Sequence, residues 1–228
     1  MLNTNINNNL NILLIIPARG GSKAIPRKNI RSLKGEPLIA YVIKTAKKSF
    51  FKPDIYVSSD DDEILNIAEK YGIKTHKRDP EKARDDTTLD PVVYDVYQYA
   101  TMQENKIYNI IITLQPTSPL LSVESLDKAI YMMIKNPAID TIISAKESTH
   151  LSWRRENDRY FPNFTKRVNR QYLTPTFIET GAFLITRARF ITEQSRIGSN
   201  VELYLLNGKE SIDINTFDDW NLCEYHLR

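Results

Sequence analysis

Asn11-Ile-Leu-Leu-Ile-Ile16 runs directly into Pro17-Ala-Arg-Gly-Gly-Ser22, and this junction decides the fold. A short run that is apolar at every position offers no polar face to water, so both of its faces must be covered. Such a run entering a glycine turn reads as a buried central strand of an α/β sheet.

Outward from that strand, helix and strand signals alternate. Glu36-Pro37 opens an amphipathic stretch through Lys48, with proline at a tolerated first-turn position. Asp54 to Ser58 reads as a second strand. Asp60-Asp-Asp-Glu63, then Ile64, Ile67, Ala68 and Tyr71, then Gly72, reads as a helix with an acidic start, an apolar face and a glycine stop. Ile73 to Lys77 predicts a third strand. Asp90-Pro91 predicts the cap and first turn of a helix reaching about Glu104. Tyr108 to Leu114 predicts another core strand, Ser122 caps a helix carrying Leu126, Ala129, Ile130 and Met133, and Thr141 to Ser144 continues the series. Gly181 to Ile185 and Val201 to Leu206 are strand-like, and Thr216 with Asp219 opens a last helix in the manner of a capping box. The alternation predicts a three-layer α/β domain with a mostly parallel sheet.

Composition narrows the class. The chain has 228 residues, 41% of them hydrophobic, enough for one compact domain with a real core. A net charge of +3 is too small for a nucleic-acid coat. One cysteine excludes an internal disulfide framework. No apolar run approaches the roughly 18–20 residues of a membrane helix. The first ten residues, MLNTNINNNL, have neither a basic start nor an apolar stretch, which predicts a frayed tail over residues 1–10, not a secretory signal, and a cytoplasmic protein. Residues 146–177 carry seven Lys or Arg together with Trp153 and several Tyr and Phe. So long a polar stretch inside a domain reads as a functional arm or lid.

In open α/β sheets, ligands bind beyond the carboxyl ends of the strands. At the first such end, Arg19 to Lys34 holds six cations and no acid, with two of the seven glycines at its start. Glycines let backbone N–H groups approach a phosphate, and the cations neutralise a polyphosphate. The plainer alternative is a glycine turn followed by a solvated basic face. Neither the P-loop pattern nor Gly-x-Gly-x-x-Gly is present.

Ile15-Ile-Pro-Ala-Arg-Gly-Gly-Ser-Lys23, continuing to Pro26-Arg-Lys-Asn29, closely resembles the signature of acylneuraminate cytidylyltransferases, the CMP-sialic acid synthetases. Val57-Ser-Ser-Asp-Asp61, Gln115-Pro-Thr-Ser-Pro-Leu120, Arg170-Gln171, Gly181-Ala182 and Ser211-Ile-Asp213 resemble later blocks in the family's order. The resemblance implies a Rossmann-like nucleotide-diphospho-sugar transferase fold, α/β/α with a mixed sheet, and transfer of CMP from CTP to the anomeric hydroxyl of an α-keto acid sugar. It implies that Arg19 and Lys23 are catalytic, holding the triphosphate, with the backbone of Ala18, Gly20, Gly21 and Ser22 around it. Lys28, Asn29, Arg78, Thr87 and Thr88 are implied beside the nucleotide, Arg78 reading the cytosine. Gln115, Thr117, Ser118, Arg170, Gln171 and Glu179 are implied on the sugar side. Asp213 and Asn215 are implied as Mg²⁺ ligands, and residues 146–177 as an arm reaching across a homodimer, the alternative being a self-contained lid.

Three departures stand out. Asp213-Ile-Asn215 replaces the family's Asp-x-Asp, which removes a negative charge from the metal site. Leu121 follows Ser-Pro-Leu where many relatives carry arginine. Glu179 lies where many carry a basic residue, and an acid there suits a hydroxyl- or amine-bearing sugar better than a second carboxylate. The last two point to a related nonulosonate such as legionaminic or pseudaminic acid rather than ordinary sialic acid. A CMP-Kdo-type transferase and a catalytically weak nucleotide-binding protein are the rival readings. His76, His150 and His226 show no metal-ligand spacing, Cys223 reads as a small buried residue, and Asp60 to Glu63 read as a helix cap.

Overall fold

The structure, a computed structural model, describes residues 10–227. Of the expected frayed head, residues 1–9 lie outside the described residues, and Leu10 packs against the core.

β1 (Ile12–Pro17) is buried along its whole length, as its unbroken apolar run requires. A small antiparallel pair, β2 (Ser32–Leu33) and β3 (Glu36–Pro37), leads into α1 (Leu38–Lys48). There follow β4 (Asp54–Ser59), α2 (Asp62–Lys70), β5 (Lys74–Lys77), α3 (Leu89–Glu104), β6 (Ile110–Leu114), α4 (Val123–Lys135) and β7 (Thr141–Glu147). A separate hairpin, β8 (Trp153–Glu156) with β9 (Arg159–Pro162), precedes β10 (Phe177–Arg187), β11 (Val201–Leu205) and α5 (Phe217–His226).

The main sheet has the order β11-β7-β10-β6-β1-β4-β5. β1 pairs parallel with β4 and β6, β4 with β5, and β7 with β11, while β10 runs antiparallel between β6 and β7. This is the mixed, mostly parallel sheet expected, and it gathers the carboxyl ends of six strands along one edge.

The alternation of side chains along β1 separates the layers. Leu14 and Ile16 face Ile39 and Ile43 of α1, Ile64 of α2 and Ile130 of α4. Leu13 and Ile15 face Val93, Val96 and Ala100 of α3. Each such side chain stabilises the fold by about 1.5–3 kcal/mol through removal from water. A third cluster, with Ile25, Leu38, Ile214, Trp220 and Cys223, clamps α5 onto the segment after β1.

Helix starts follow the sequence with two exceptions, of which the first is α1: Glu36-Pro37, expected as its opening turn, forms β3, and the helix begins at Leu38 with Pro37 at its cap position. Asp61 accepts from Glu63 N at 2.9 Å, Ser122 from Ser125 N at 3.0 Å, and Thr216 with Asp219 completes a capping box. α3, however, begins at Leu89 with Thr88 at its cap position and no side-chain cap bond. Asp90 instead accepts from Arg196 Nε at 3.0 Å, so a residue read as a cap is a tertiary tie. Pro91 is tolerated because first-turn N–H groups have no intrahelical partner. The expected metal strand around Asp213 is no strand either. It is an irregular segment after a 3₁₀ turn at Gly208–Ser211, tied by Ile214 N to Thr117 O at 2.8 Å.

Candidate active site

A cavity of about 290 Å³ opens at the carboxyl ends of β1 and β6. Of the residues singled out by sequence, Arg19, Gly21, Ser22, Lys28, Asn29, Arg78, Thr87, Gln115 and Thr117 line it. Its volume and its cationic wall suit a ligand with several phosphates.

The loop after β1 is fixed from below. Ala18 N donates to Ser58 O at 2.9 Å, and Gly20 N donates to Asp60 Oδ1 at 3.0 Å. A Cβ on Gly20 would sit 2.6 Å from Asp61 Oδ2, which only a glycine avoids. The Gly20 N–H is therefore committed to Asp60, and the backbone that faces the cavity belongs to Gly21 and Ser22. Asp60 and Asp61 do more than cap α2, since Asp61 Oδ2 also pairs with Arg27 Nη1 at 2.5 Å. Arg27 adopts φ 57°, a left-handed turn that this ion pair helps hold.

Arg19 Nη1 and Lys23 Nζ both reach Asp85, at 2.7 and 2.5 Å. Asn29 Nδ2 donates to Arg19 O at 2.9 Å, which orients the arginine's backbone. Lys28 Nζ donates to Ile214 O at 2.8 Å. Burial lowers the Lys28 pKa, and the neighbouring Asp213 carboxylate partly opposes that shift.

Arg78 lies at the other side of the cavity, 3% exposed, with Nη2 donating to Ser58 O at 2.8 Å. Burial pulls its pKa down to about 10, against the pull of Asp60. It stays charged at neutral pH, a directed donor inside a low-dielectric wall. Thr87 Oγ1 donates to Glu81 O at 3.2 Å, while Thr88 is exposed and does not line the cavity.

On the third side, Gln115 N donates to Ala182 O at 3.1 Å. Gly181 has φ +71°, and a Cβ there would lie 3.3 Å from Gln115 Nε2 and 3.7 Å from Asp213 Oδ2. That glycine lets β10 bring the amide and the carboxylate together. Ser118 is wholly buried beneath the loop, and its hydroxyl has no partner among the described residues.

Asp213 Oδ2 accepts from Asn215 Nδ2 at 2.7 Å, and Asp213 Oδ1 is buried without a hydrogen-bond partner among the described residues. A carboxylate oxygen withdrawn from water and left unpaired suits a hard cation. Among the described residues no group of three His, Cys, Asp or Glu side chains could hold a metal. The chain would thus offer Asp213 and the Asn215 carbonyl, and phosphate oxygens and water would complete the coordination of a Mg²⁺ ion.

The sequence-predicted residues of the arm stand apart. Arg170 and Gln171 are exposed on a 3₁₀ turn outside the cavity, with Arg170 Nη2 4.0 Å from Glu147. Glu179 is exposed on β10 and does not line the cavity, and the strand's alternation is broken by a register shift between Glu179 and Leu184. Leu121 is 3% exposed inside the core, which removes it from any argument about the sugar.

Asp85, Lys82 and Arg84 line the cavity and were not singled out by sequence. Their signal was the charge cluster Lys82-Ala-Arg-Asp-Asp86 just before Thr87.

Comparison with known proteins adds to this geometry. Residues 13–202 match the family described as cytidylyltransferase. A pseudaminic acid cytidylyltransferase of Campylobacter jejuni is 34% identical, the match covering 91% of this chain and 92% of that protein. A CMP-N,N'-diacetyllegionaminic acid synthase of Legionella pneumophila is 33% identical over 94% of this chain and 95% of its own length. N-acylneuraminate cytidylyltransferase A of Danio rerio is 30% identical over 95% of this chain, which spans 50% of that longer protein. Among solved structures, a CMP:2-keto-3-deoxy-manno-octonic acid synthetase complexed with CTP superposes with a TM-score of 0.68 at 14% identity, covering 95% of this chain and 98% of that one. That likeness is one of fold.

Proposed function

This chain belongs to the cytidylyltransferase family, and on that basis we propose that it transfers CMP from CTP to the anomeric hydroxyl of a nonulosonic sugar, releasing pyrophosphate. The observation that carries the proposal is the cavity itself, with Arg19 and Lys28 on one wall, buried Arg78 on another and Gln115 beside Asp213 on the sugar side.

In the reaction the anomeric oxygen bonds to the α-phosphorus, the bond from that phosphorus to the oxygen bridging to the β-phosphate breaks, and the hydroxyl proton is released. The protein acts mainly by position and charge. Arg19 and Lys23 exchange Asp85 for the triphosphate and neutralise charge that grows on the leaving pyrophosphate. Gly21 and Ser22 let the backbone approach the phosphates. Arg78 donates toward the base. Gln115 orients the sugar. Mg²⁺ held by Asp213 and Asn215 would supply Lewis-acid neutralisation of the phosphate oxygens.

The acid at Glu179 supports pseudaminic or legionaminic acid over N-acetylneuraminic acid as the sugar, and the relatives include enzymes for the first two as well as N-acylneuraminate enzymes. We further propose that the arm docks on a second copy of the chain, with Arg170 and Gln171 completing the partner's sugar site, and that the enzyme works in the cytoplasm.

Pyrophosphate release with CTP and Mg²⁺ across pseudaminic, legionaminic, N-acetylneuraminic and Kdo sugars tests the proposal. Turnover should be fastest with pseudaminic or legionaminic acid, and a clean preference for N-acetylneuraminic acid or Kdo would contradict it. Asn215 favours one second reading, a nucleotide-binding protein with weak turnover. Tight CTP binding without turnover in the native chain, together with turnover in Asn215→Asp, would select that reading.

A further inference from the structure

Behind the base-facing arginine lies a buried polar chain that the proposed chemistry leaves unused. Arg78 Nε donates to Ser58 Oγ at 3.3 Å, and Ser58 Oγ lies 3.1 Å from His76 Nδ1. Ser58, His76 and Arg78 are 0%, 6% and 3% exposed, so water does not replace these partners. A guanidinium N–H can only donate, so Ser58 Oγ accepts from Arg78, which leaves the serine proton available to donate to His76. When the serine donates, Nδ1 is the acceptor and the ring proton belongs on Nε2, which faces the Asp95 carboxylate with Oδ2 at 3.6 Å. Asp95 is held in turn by Lys82 Nζ at 3.0 Å, and the Tyr99 ring packs edge-on against the imidazole with centroids 4.9 Å apart.

We propose that His76, neutral and protonated on Nε2, is a positioning residue that fixes the aim of Arg78 and thereby sets the affinity and base selectivity for the nucleotide. The inference rests on the reading that Arg78 faces the cytosine of CTP.

Every element around the ring takes part in its charge balance. β4 supplies Ser58, α3 supplies Asp95 and Tyr99, the turn at Pro80–Ala83 supplies Lys82, and the segment after β5 supplies Arg78. On β5 itself, Lys74 is paired with Glu104 and Asp54. Burial lowers the imidazole pKa below its ordinary value; Asp95 opposes this, and Arg78 and Lys82 add to it. Protonating Nδ1 would direct a second N–H at Ser58 Oγ, leave the serine proton without its acceptor and add a cation beside the guanidinium.

Three measurements test the assignment. In the native protein, long-range nitrogen–proton NMR should show His76 neutral at pH 7 with its proton on Nε2. His76→Phe fills the ring space without an acceptor and should raise the KM for CTP about tenfold, the size of one lost buried hydrogen bond, with kcat changed less and the preference for CTP over UTP reduced. His76→Asn keeps an acceptor at the Nδ1 position and cannot protonate. It should restore most of the affinity and abolish the loss of CTP binding expected of the native protein once the pH is low enough, below the ordinary imidazole range, to protonate His76. An Nδ1-protonated ring, or a His76→Phe protein with native KM and selectivity, overturns the proposal. Native protein that binds CTP no better than UTP overturns the base-reading role of Arg78 itself, and with it the part assigned to His76.

Discussion

The nucleotide end of the cavity and the arm are built in opposite ways. At the nucleotide end, ties span long stretches of chain: Gly20 to Asp60, Lys28 to Ile214, Arg78 to Ser58 and Gln115 to Ala182. In the arm, every residue of β8 and β9 is exposed. Its contacts are local, such as Trp153 edge-on to Phe164 and Arg154 to Glu156 at 2.5 Å. Trp153, Tyr160, Phe161 and Tyr172 all stand in solvent. A two-stranded hairpin without a covering layer is marginal by itself. The difference teaches that a single chain holds one end of the cavity together by long-range ties, whereas its arm leaves aromatic side chains exposed, the surface that the proposed docking on a second copy would cover.

The sharpest way to break this contrast is Arg19→Ala. Arg19 serves charge rather than packing, with its side chain 36% exposed, so turnover should fall about 100- to 1,000-fold while the melting temperature holds. Pyrophosphate release and a thermal melt on one sample separate the two effects. Next in size, the proposed docking of the arm predicts that the native chain sediments as a dimer and that replacing Trp153 and Tyr160 by serine gives a monomer with lower turnover of the sugar and CTP affinity retained. Sedimentation and CTP titration measure the two halves independently. Gly20→Ala should then cost about 1–3 kcal/mol of stability and misplace the phosphate loop, because its methyl would enter the space of the Asp61 carboxylate. Denaturant unfolding reads the first effect, and the KM for CTP the second.

The smallest effect concerns neither region but the far edge of the sheet. Burial raises the Asp54 pKa, but the hydrogen bonds from Lys106 and Tyr108 outweigh it, leaving the carboxyl below its ordinary value. The unfolded chain therefore takes up the proton first as pH falls, and stability present above the ordinary carboxylate range is lost below about pH 4. Melting temperatures between pH 7 and pH 3 should drop in that window, and Asp54→Asn should flatten the drop.

Local signals carried most of the fold. The apolar run of β1, the Ser122 cap and the Thr216–Asp219 box each act within a few residues, and each forms as its sequence requires. The first motif also placed Arg19, Gly21, Ser22, Lys28 and Asn29 on one cavity wall. What sequence missed is long-range. Asp60 to Glu63 read as a cap because nothing local reveals that Asp60 holds a glycine 40 residues earlier. Asp90 looked like a cap for the same reason, its real partner Arg196 being 106 residues away. Asp85 stood unnoticed because an acid in a phosphate site makes sense only once Arg19 and Lys23 are seen to converge on it. Leu121 occupies an informative position in the motif, yet its side chain turns into the core.

The most direct test is phosphorus NMR of the protein mixed with CTP, Mg²⁺ and pseudaminic or legionaminic acid. The account predicts that the three CTP signals give way to one phosphodiester signal of a CMP-sugar and an equimolar amount of pyrophosphate. Unchanged CTP with both sugars, or cleavage to CDP and phosphate, would contradict it.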